Sequence, residues 1–430
     1  MKQMGIFQLV FLGLFTLFIM TGVIVVAIYS KSGTTRASAP TVVVWGSLDQ
    51  DLMSGIFGQV HKIDPNLFVT YVHVDQSNFE FQLLQAITAG KSPDAILVNN
   101  DSFMSDLRMI YPIDYKEYPA RDFMNTFIQE GELYLGATSI VAVPISVDPY
   151  VMYWNRDLFA NESLNTPPIY WDELFYLAGK LTKLDSSGKI IQSAVALGEY
   201  QNVTHAKEIL SALFLQSDNK ISSWDSVKNK LNIVLNSQNN LTPPSSILSF
   251  YTQFSDPVKP VYSWNASLTD SKTLFISGRL AMYFGPASEL QEIRAKNPNL
   301  NFDVAVLPQF KNAPITMTIG NMYGLAMLRT SSHLALRLEI INDLTSPEII
   351  KLLSDRSVLP PVRKDVAVSQ SNPYMATFRD SAVISRGWLD PNRMYSGTSL
   401  QKMVSSVVSG QSTPEAALRL AAGELQSYAQ

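Results

Sequence analysis

The chain of 430 residues exceeds one ordinary domain, and its 46% hydrophobic and 10% aromatic content is enough for more than one core. A net charge of −4 without a basic stripe gives no reason to expect nucleic acid as a partner. The lack of cysteine excludes disulfides, thiolate metal sites, a cysteine nucleophile and a lipid anchor on cysteine; four histidines without metal-site spacing predict no metal, and no cofactor is expected.

The first predicted element is a membrane span. Residues 6–29 read IFQLVFLGLFTLFIMTGVIVVAIY, 24 positions without a charge. As a helix they extend about 36 Å, against a hydrocarbon core of about 30 Å. A cleaved signal peptide has a shorter apolar region and a small-residue cleavage site close behind it. Here Ala37-Ser38-Ala39 lies several polar residues downstream and Pro40 follows, so an uncleaved anchor is expected. Lys2 on one side and Lys31 and Arg36 on the other do not orient it. Residues 30–40 read as a flexible linker.

After the linker, TVVVWGS (41–47) is a short β-branched strand, and LDQDLMSGIFGQVHKI (48–63) has apolar residues at helical spacing. LFVTYVHVD (67–75) is a second strand, FEFQLLQAITAG (79–90) a helix ended by Gly90, and PDAILVNND (93–101) a third strand. This alternation with short connections predicts an α/β fold, a parallel sheet covered by helices. In such sheets ligands bind beyond the carboxyl ends of the strands. Those ends carry Trp45, Ser47 and Asp49, then residues 73–78 with Asn78, then Asn99, Asn100 and Asp101. Asn and Asp also suit turns and helix caps, which is the alternative for each of them.

Further along, AVPISVDPYVMYWNRDLF (142–159) is apolar on both flanks of Ser146-Val147-Asp148-Pro149. The carboxylate and the proline predict a break between two strands. TPPIYWDELFYLAGKLTKL (166–184) starts a helix with Trp171, Asp172 and Glu173 in its first turn, and SQNNLTPPSS (237–246) is a loop. LFISGRLAMYFGP (274–286) reads as a helix end followed by a strand; TSPEIIKLLSD (345–355) and TPEAALRLAAGELQSYA (413–429) read as helices. No internal repeat or low-complexity tract is present.

Six segments, in register, resemble one family. They are ITAGKSPDAILVNND, AVPISVDPYVMYWNRDLF with its Pro-x-x-x-acid and Tyr-x-Asn-x-Asp-Leu pattern, NTPPIYWDEL, FISGRLAMYFGP, VAVLPQFKNAPITMTIG and LPPVRKDV. From about residue 41 to 430 the chain resembles the extracytoplasmic solute-binding proteins of ABC importers, in the sugar-binding group that includes maltose-binding protein. The resemblance implies a two-lobe, periplasmic-binding-protein-like class II fold with hinge crossovers. Lobe one would take residues 41–145 plus 308–352, and lobe two 150–305 plus 355–430, with crossings near 146–150, 307–310 and 354. It also implies a soluble part outside the cytoplasm on a single-pass anchor in the cell membrane. The implied partners are a small-molecule solute, carbohydrate by family, and the permease subunits of an ABC transporter; a monomer is expected.

Carried over residue by residue, Asp49, Asp101 and Asp148 match acidic sugar ligands of the family, and Glu199-Tyr200 falls near its acidic–aromatic pair in lobe two. The pattern departs at Ala287, where the family protein has an aromatic residue, and at Val98 and Ser102, which replace an aromatic and a basic ligand. Trp264, Tyr283, Tyr323 and Trp388 are the other aromatic faces that could stack on a sugar ring; each is otherwise a packing residue. The expected function is membrane-tethered capture of a sugar or similar polar solute for import. A ligand-sensing receptor subunit signalling through a partner protein is the alternative. A glycosidase using Asp49 with Asp101 or Asp148 needs two carboxylates about 5–10 Å apart across one bond. No serine elbow, metal cluster or Gly-rich phosphate loop supports an enzyme.

Overall fold

The computed structural model describes residues 41–429 apart from Ser102 and residues 226–229, 238–241 and 370–371. The expected anchor at 6–29 and the linker lie outside the described residues. Among those described, no helix is long and apolar enough to cross a membrane.

Residues 41–429 are built on one ten-stranded sheet. Its strands are β1 (Thr41–Gly46), β2 (Phe68–His73), β3 (Ala95–Asn99), β4 (Val143–Asn155), β5 (Lys183–Leu184), β6 (Ile190–Val195), β7 (Leu280–Pro286), β8 (Phe302–Val306), β9 (Thr318–Met327) and β10 (Ser385–Arg386). The order is β2-β1-β3-β9-β4-β7-β6-β5, with β8 added to β4 and β10 to β9. The first three strands pair in parallel as expected, Trp45 lying opposite both Val72 and Ile96. All five residues of β3 are buried, because it has neighbours on both edges and cover on both faces. The helical pattern over 48–63 forms two helices, Gln50–Phe57 and Val60–Ile63. The Gly58 amide closes the first of them onto Ser54 and Ile56, so the chain re-aims before Val60.

The break expected at residues 146–149 is absent. β4 is continuous over 13 residues, every one of them buried. What changes along it is the partner. Residues Val143 to Pro149 pair antiparallel with β9, where Asp148 lies opposite Asn321 and Pro149 opposite Gly320. From Tyr150 onward the pairing passes to β7, and from Val151 also to β8. The cores divide at the same place. One gathers Val42, Val44, Ile96, Val143 and Val147 with Met322, Leu325 and Val362; the other gathers Tyr150, Met152 and Trp171 with Leu213, Trp264 and Phe284. On β9 the division falls between Ile319 and Met322. Two hydrophobic cores joined by β4 and β9, two adjacent antiparallel strands, make this a two-domain α/β fold.

Candidate functional site

The loops that follow β1 and β3 gather the polar groups of the first domain. Ser47 Oγ donates to Gln76 Oε1 at 2.8 Å, and Tyr323 on β9 shares hydrogen bonds with Ser47 and Asn99. Trp45 is half-buried against the first core. Asp49 is exposed and caps the helix Gln50–Phe57 by accepting from Leu52 N at 2.7 Å. Asn78 is exposed at the junction of a short 3₁₀ turn and the helix Phe79–Thr88, without a capping bond of its side chain.

Asp101 is only 7% exposed and reaches the other domain. Its Oδ2 lies 3.4 Å from Lys207 Nζ and 3.7 Å from Arg393 Nε. Lys207 belongs to the helix Ala206–Gln216 of the second core, and its ammonium also bonds Asp390 Oδ2 at 2.6 Å. Burial pulls the Lys207 ammonium down, but the charges of Asp101, Asp390 and Glu208 outweigh it and hold the lysine protonated. Trp388 backs this pair: the ammonium lies 5.6 Å from its ring centroid, and its Nε1 donates to Ser211 Oγ at 3.1 Å. Trp388 is 4% exposed, so its face serves Lys207 in this arrangement.

Asp148 stands where β4 changes partners. It is 9% exposed, and its Oδ1 accepts from Ser288 N at 3.0 Å, just beyond β7. Burial pushes its carboxyl up to about 6, against the hydrogen bonds from Ser288. Next to it lies His205, in the left-handed region at φ +64 as the residue preceding the Lys207 helix. Its ring bonds Glu289 Oε1 at 3.0 Å and the Tyr150 hydroxyl at 3.2 Å. Burial opposes protonation of His205, yet Glu289 and Glu208 raise it above the ordinary histidine value. Tyr283 is buried and donates to Glu289 Oε2 at 2.5 Å, which makes it a wall of this charged floor.

Glu199 and Tyr200 are half-buried in the loop after β6. Burial raises the Glu199 carboxyl, opposed by the Ala266 amide, and its carbonyl accepts from the Tyr251 hydroxyl at 2.6 Å. Trp264 is fully buried in the second core and donates to Asn202 Oδ1 at 3.0 Å. It is thus placed as a packing residue that locks Asn202, which in turn ties Asn265 O and Leu268 O.

The structure brings Asp101, Trp388, Asp148, Tyr323 and Ser47 to the seam between the domains. Sequence reasoning missed Lys207, Asp390, Arg393, His205 and Glu289. A lysine in the first turn of the otherwise apolar AKEILSALFLQ was the available signal for Lys207. Asp390 in LDPN read as turn chemistry, which hides a buried counter-ion.

Among the described residues, no group of histidine and carboxylate side chains could hold a metal ion. The seam offers paired hydrogen-bonding groups from both domains.

The family model described as bacterial extracellular solute-binding protein matches residues 52–351. A binding protein of Brucella abortus (strain 2308) is 23% identical over 215 residues, which is 48% of this chain and 44% of that protein. The chain thus matches less than half the length of that curated relative. A solved cyclo/maltodextrin-binding protein in complex with maltotetraose superposes with a TM-score of 0.72 at 17% identity, covering 92% of this chain and 98% of that one. A protein solved with mannobiose bound gives 0.67 at 21% identity, over 90% and 99%. The GacH receptor of Streptomyces glaucescens, solved unliganded and with acarbose, gives 0.68 at 15% identity, over 90% and 98%. At these identities the likeness is one of fold. With the family model spanning most of the chain, the protein belongs to the bacterial extracellular solute-binding protein family.

Proposed function

We propose that this protein captures a sugar or similar polar solute between its two domains and presents it to the membrane subunits of an ABC importer. The observation that carries the reading is the seam itself. Buried carboxylates of one domain, Asp101 above all, face polar groups of the other across two shared strands. A solute seated there touches both bodies, and its binding energy favours the closed arrangement. Relatives of the same fold were solved with maltotetraose, mannobiose and α-D-tagatose bound, which supports a carbohydrate. Binding rather than turnover fits the buried carboxylates, which are engaged by Lys207 and Ser288.

The ligand set assigned here is Asp148 and Asp101 at the centre, with Ser47, Trp45, Asn78, Tyr323, Glu199 and Tyr200 around them and Asp49 at the edge. The domain bounds proposed from sequence, 41–145 plus 308–352 and 150–305 plus 355–430, shift in two places, since Ile319 packs in the second core and Val362, Val366 and Ala382 in the first; the chain acts as a monomer. Residues 6–29 hold them at the outer face of the membrane; an N terminus at Pro40 on sequencing the membrane fraction would refute this tether.

The test of the binding reading is calorimetric titration of a panel of neutral mono- and oligosaccharides into the full chain and into Asp148→Ala. At least one member is expected to bind, and the substitution is expected to weaken it about tenfold or more, since a buried acceptor is lost. The melting temperature is expected to change little. Unchanged affinity removes Asp148 from the site.

A further inference from the structure

A cavity of about 610 Å³ opens at the seam. Gln76, Ser77, Glu80 and Asp106 line it from one side, Asn392 and Arg393 from the other. Asp106 is 1% exposed, and its Oδ1 has no hydrogen-bond partner among the described residues. Burial raises its carboxyl to about 7, with the charge of Glu80 adding to the effect. A buried carboxylate without a donor is costly, and a ligand that supplies one recovers that cost.

The charges around the cavity are unequal. Asp101 and Asp390 share the ammonium of Lys207, at 3.4 and 2.6 Å, and Arg393 supplies the second positive charge 3.7 Å from Asp101. Among the described residues, no cation pairs with Glu80 or Asp106. A neutral hydroxyl could satisfy one oxygen of Asp106, but only a positive charge lowers the energy of both carboxylates together.

We propose that this cavity receives the cationic group of the solute, a protonated amine carried on a sugar ring or a similar polyol. The assignment rests on the reading of the seam as a polyol site and narrows its ligand class. It makes Asp106 and Glu80 specificity-determining residues, with Asp106 the contact to the ammonium.

Glucosamine, N-acetylglucosamine and glucose, with their β-1,4-linked disaccharides, share one ring frame and differ at C2 in an amine, an amide or a hydroxyl. Titrated by calorimetry into the full-length chain, the amine member is expected to bind about tenfold or more tighter than either neutral member. In Asp106→Asn, and separately in Glu80→Gln, the ratio of amine to neutral affinity is expected to fall toward one. Should Asp106→Asn fail to fold, as judged by its melting curve, the wild-type ratio and exposed Glu80→Gln decide. Equal affinity of amine and neutral members overturns the amine subsite and leaves the sugar reading standing. Binding by no member of the set also overturns the subsite, while the sugar reading is judged on its own neutral panel with Asp148→Ala.

Discussion

Single buried carboxyls make stability depend on pH, and Glu130 shows it most plainly. It sits on a 3₁₀ turn under the shared strands, wholly buried, accepting from the Ser385 hydroxyl, with Oε1 lacking a partner among the described residues. Burial raises its carboxyl from the ordinary 4.5 to about 7, only partly offset by Ser385 and Arg386. Between those two values the folded chain keeps a proton that the unfolded chain has released. The folded state then binds more protons, so stability falls as pH rises. The contribution is whole below about pH 4.5 and lost through about pH 7, a change on the order of 3 kcal/mol. Asp148 and Asp106, also raised by burial, act in the same direction. The melting temperature is therefore expected to drop from pH 5 to pH 8, and Glu130→Gln to flatten that slope. A variant whose slope equals that of the parent would show that Glu130 is not the titrating group. The sequence offers no sign of this residue: QEGELY looks like surface turn, and burial comes from the distant residues around Gly320 and Ser385.

At the scale of elements, what was local in cause was legible. The parallel β2-β1-β3 unit, the helix from Pro347 capped by Ser346 and the helix from Pro414 capped by Thr413 follow from period, capping residue and proline placement. β4 was read wrongly because the cause is non-local. A carboxylate and a proline inside an apolar run look like a strand end, yet here the strand continues and exchanges one partner for another at that point. Asp148 is tolerated because Ser288 donates to it from the next domain's strand end. Pro149, which has no N–H, lies at the last register position shared with β9. The loop bearing Glu199 and Tyr200 gives the converse case. Gly198 adopts φ +101, and a Cβ there would meet the Ser255 amide nitrogen at 2.6 Å, so glycine is required for the loop to present both side chains. The family resemblance alone pointed to Glu199 and Tyr200, whereas the close approach of residue 255 that fixes their loop depends on the folded core.

At the scale of the molecule, the two domains are held together by shared strands and by charge across the seam. Lys207 is the central group. Its side chain, 10% exposed, joins Asp101 of the first domain to Asp390 of its own. An ion pair so buried is little screened by salt. Among the described residues, removing its cation leaves Asp390 without a cation and Asp101 with only Arg393, 3.7 Å away; breaking a buried pair in this way typically costs about 3–5 kcal/mol. The molecule has a way to recover part of that. If the domains swing apart on β4 and β9, Asp101 returns to water, whereas Asp390 keeps the Ser396 hydroxyl and the Asn392 amide within its own domain but no cation. Lys207→Met, which preserves much of the apolar stem, is therefore expected to shift the solute-free protein toward the open form. Small-angle scattering reads this as a larger radius of gyration than the parent, and Asp101→Asn, which removes one of the stranded charges, is expected to bring the double variant back part of the way. A solute then has more closing to drive, so its affinity for Lys207→Met should fall through the open–closed equilibrium. Identical scattering curves for parent and variant would mean that Lys207 stabilises its own domain and takes no part in closure.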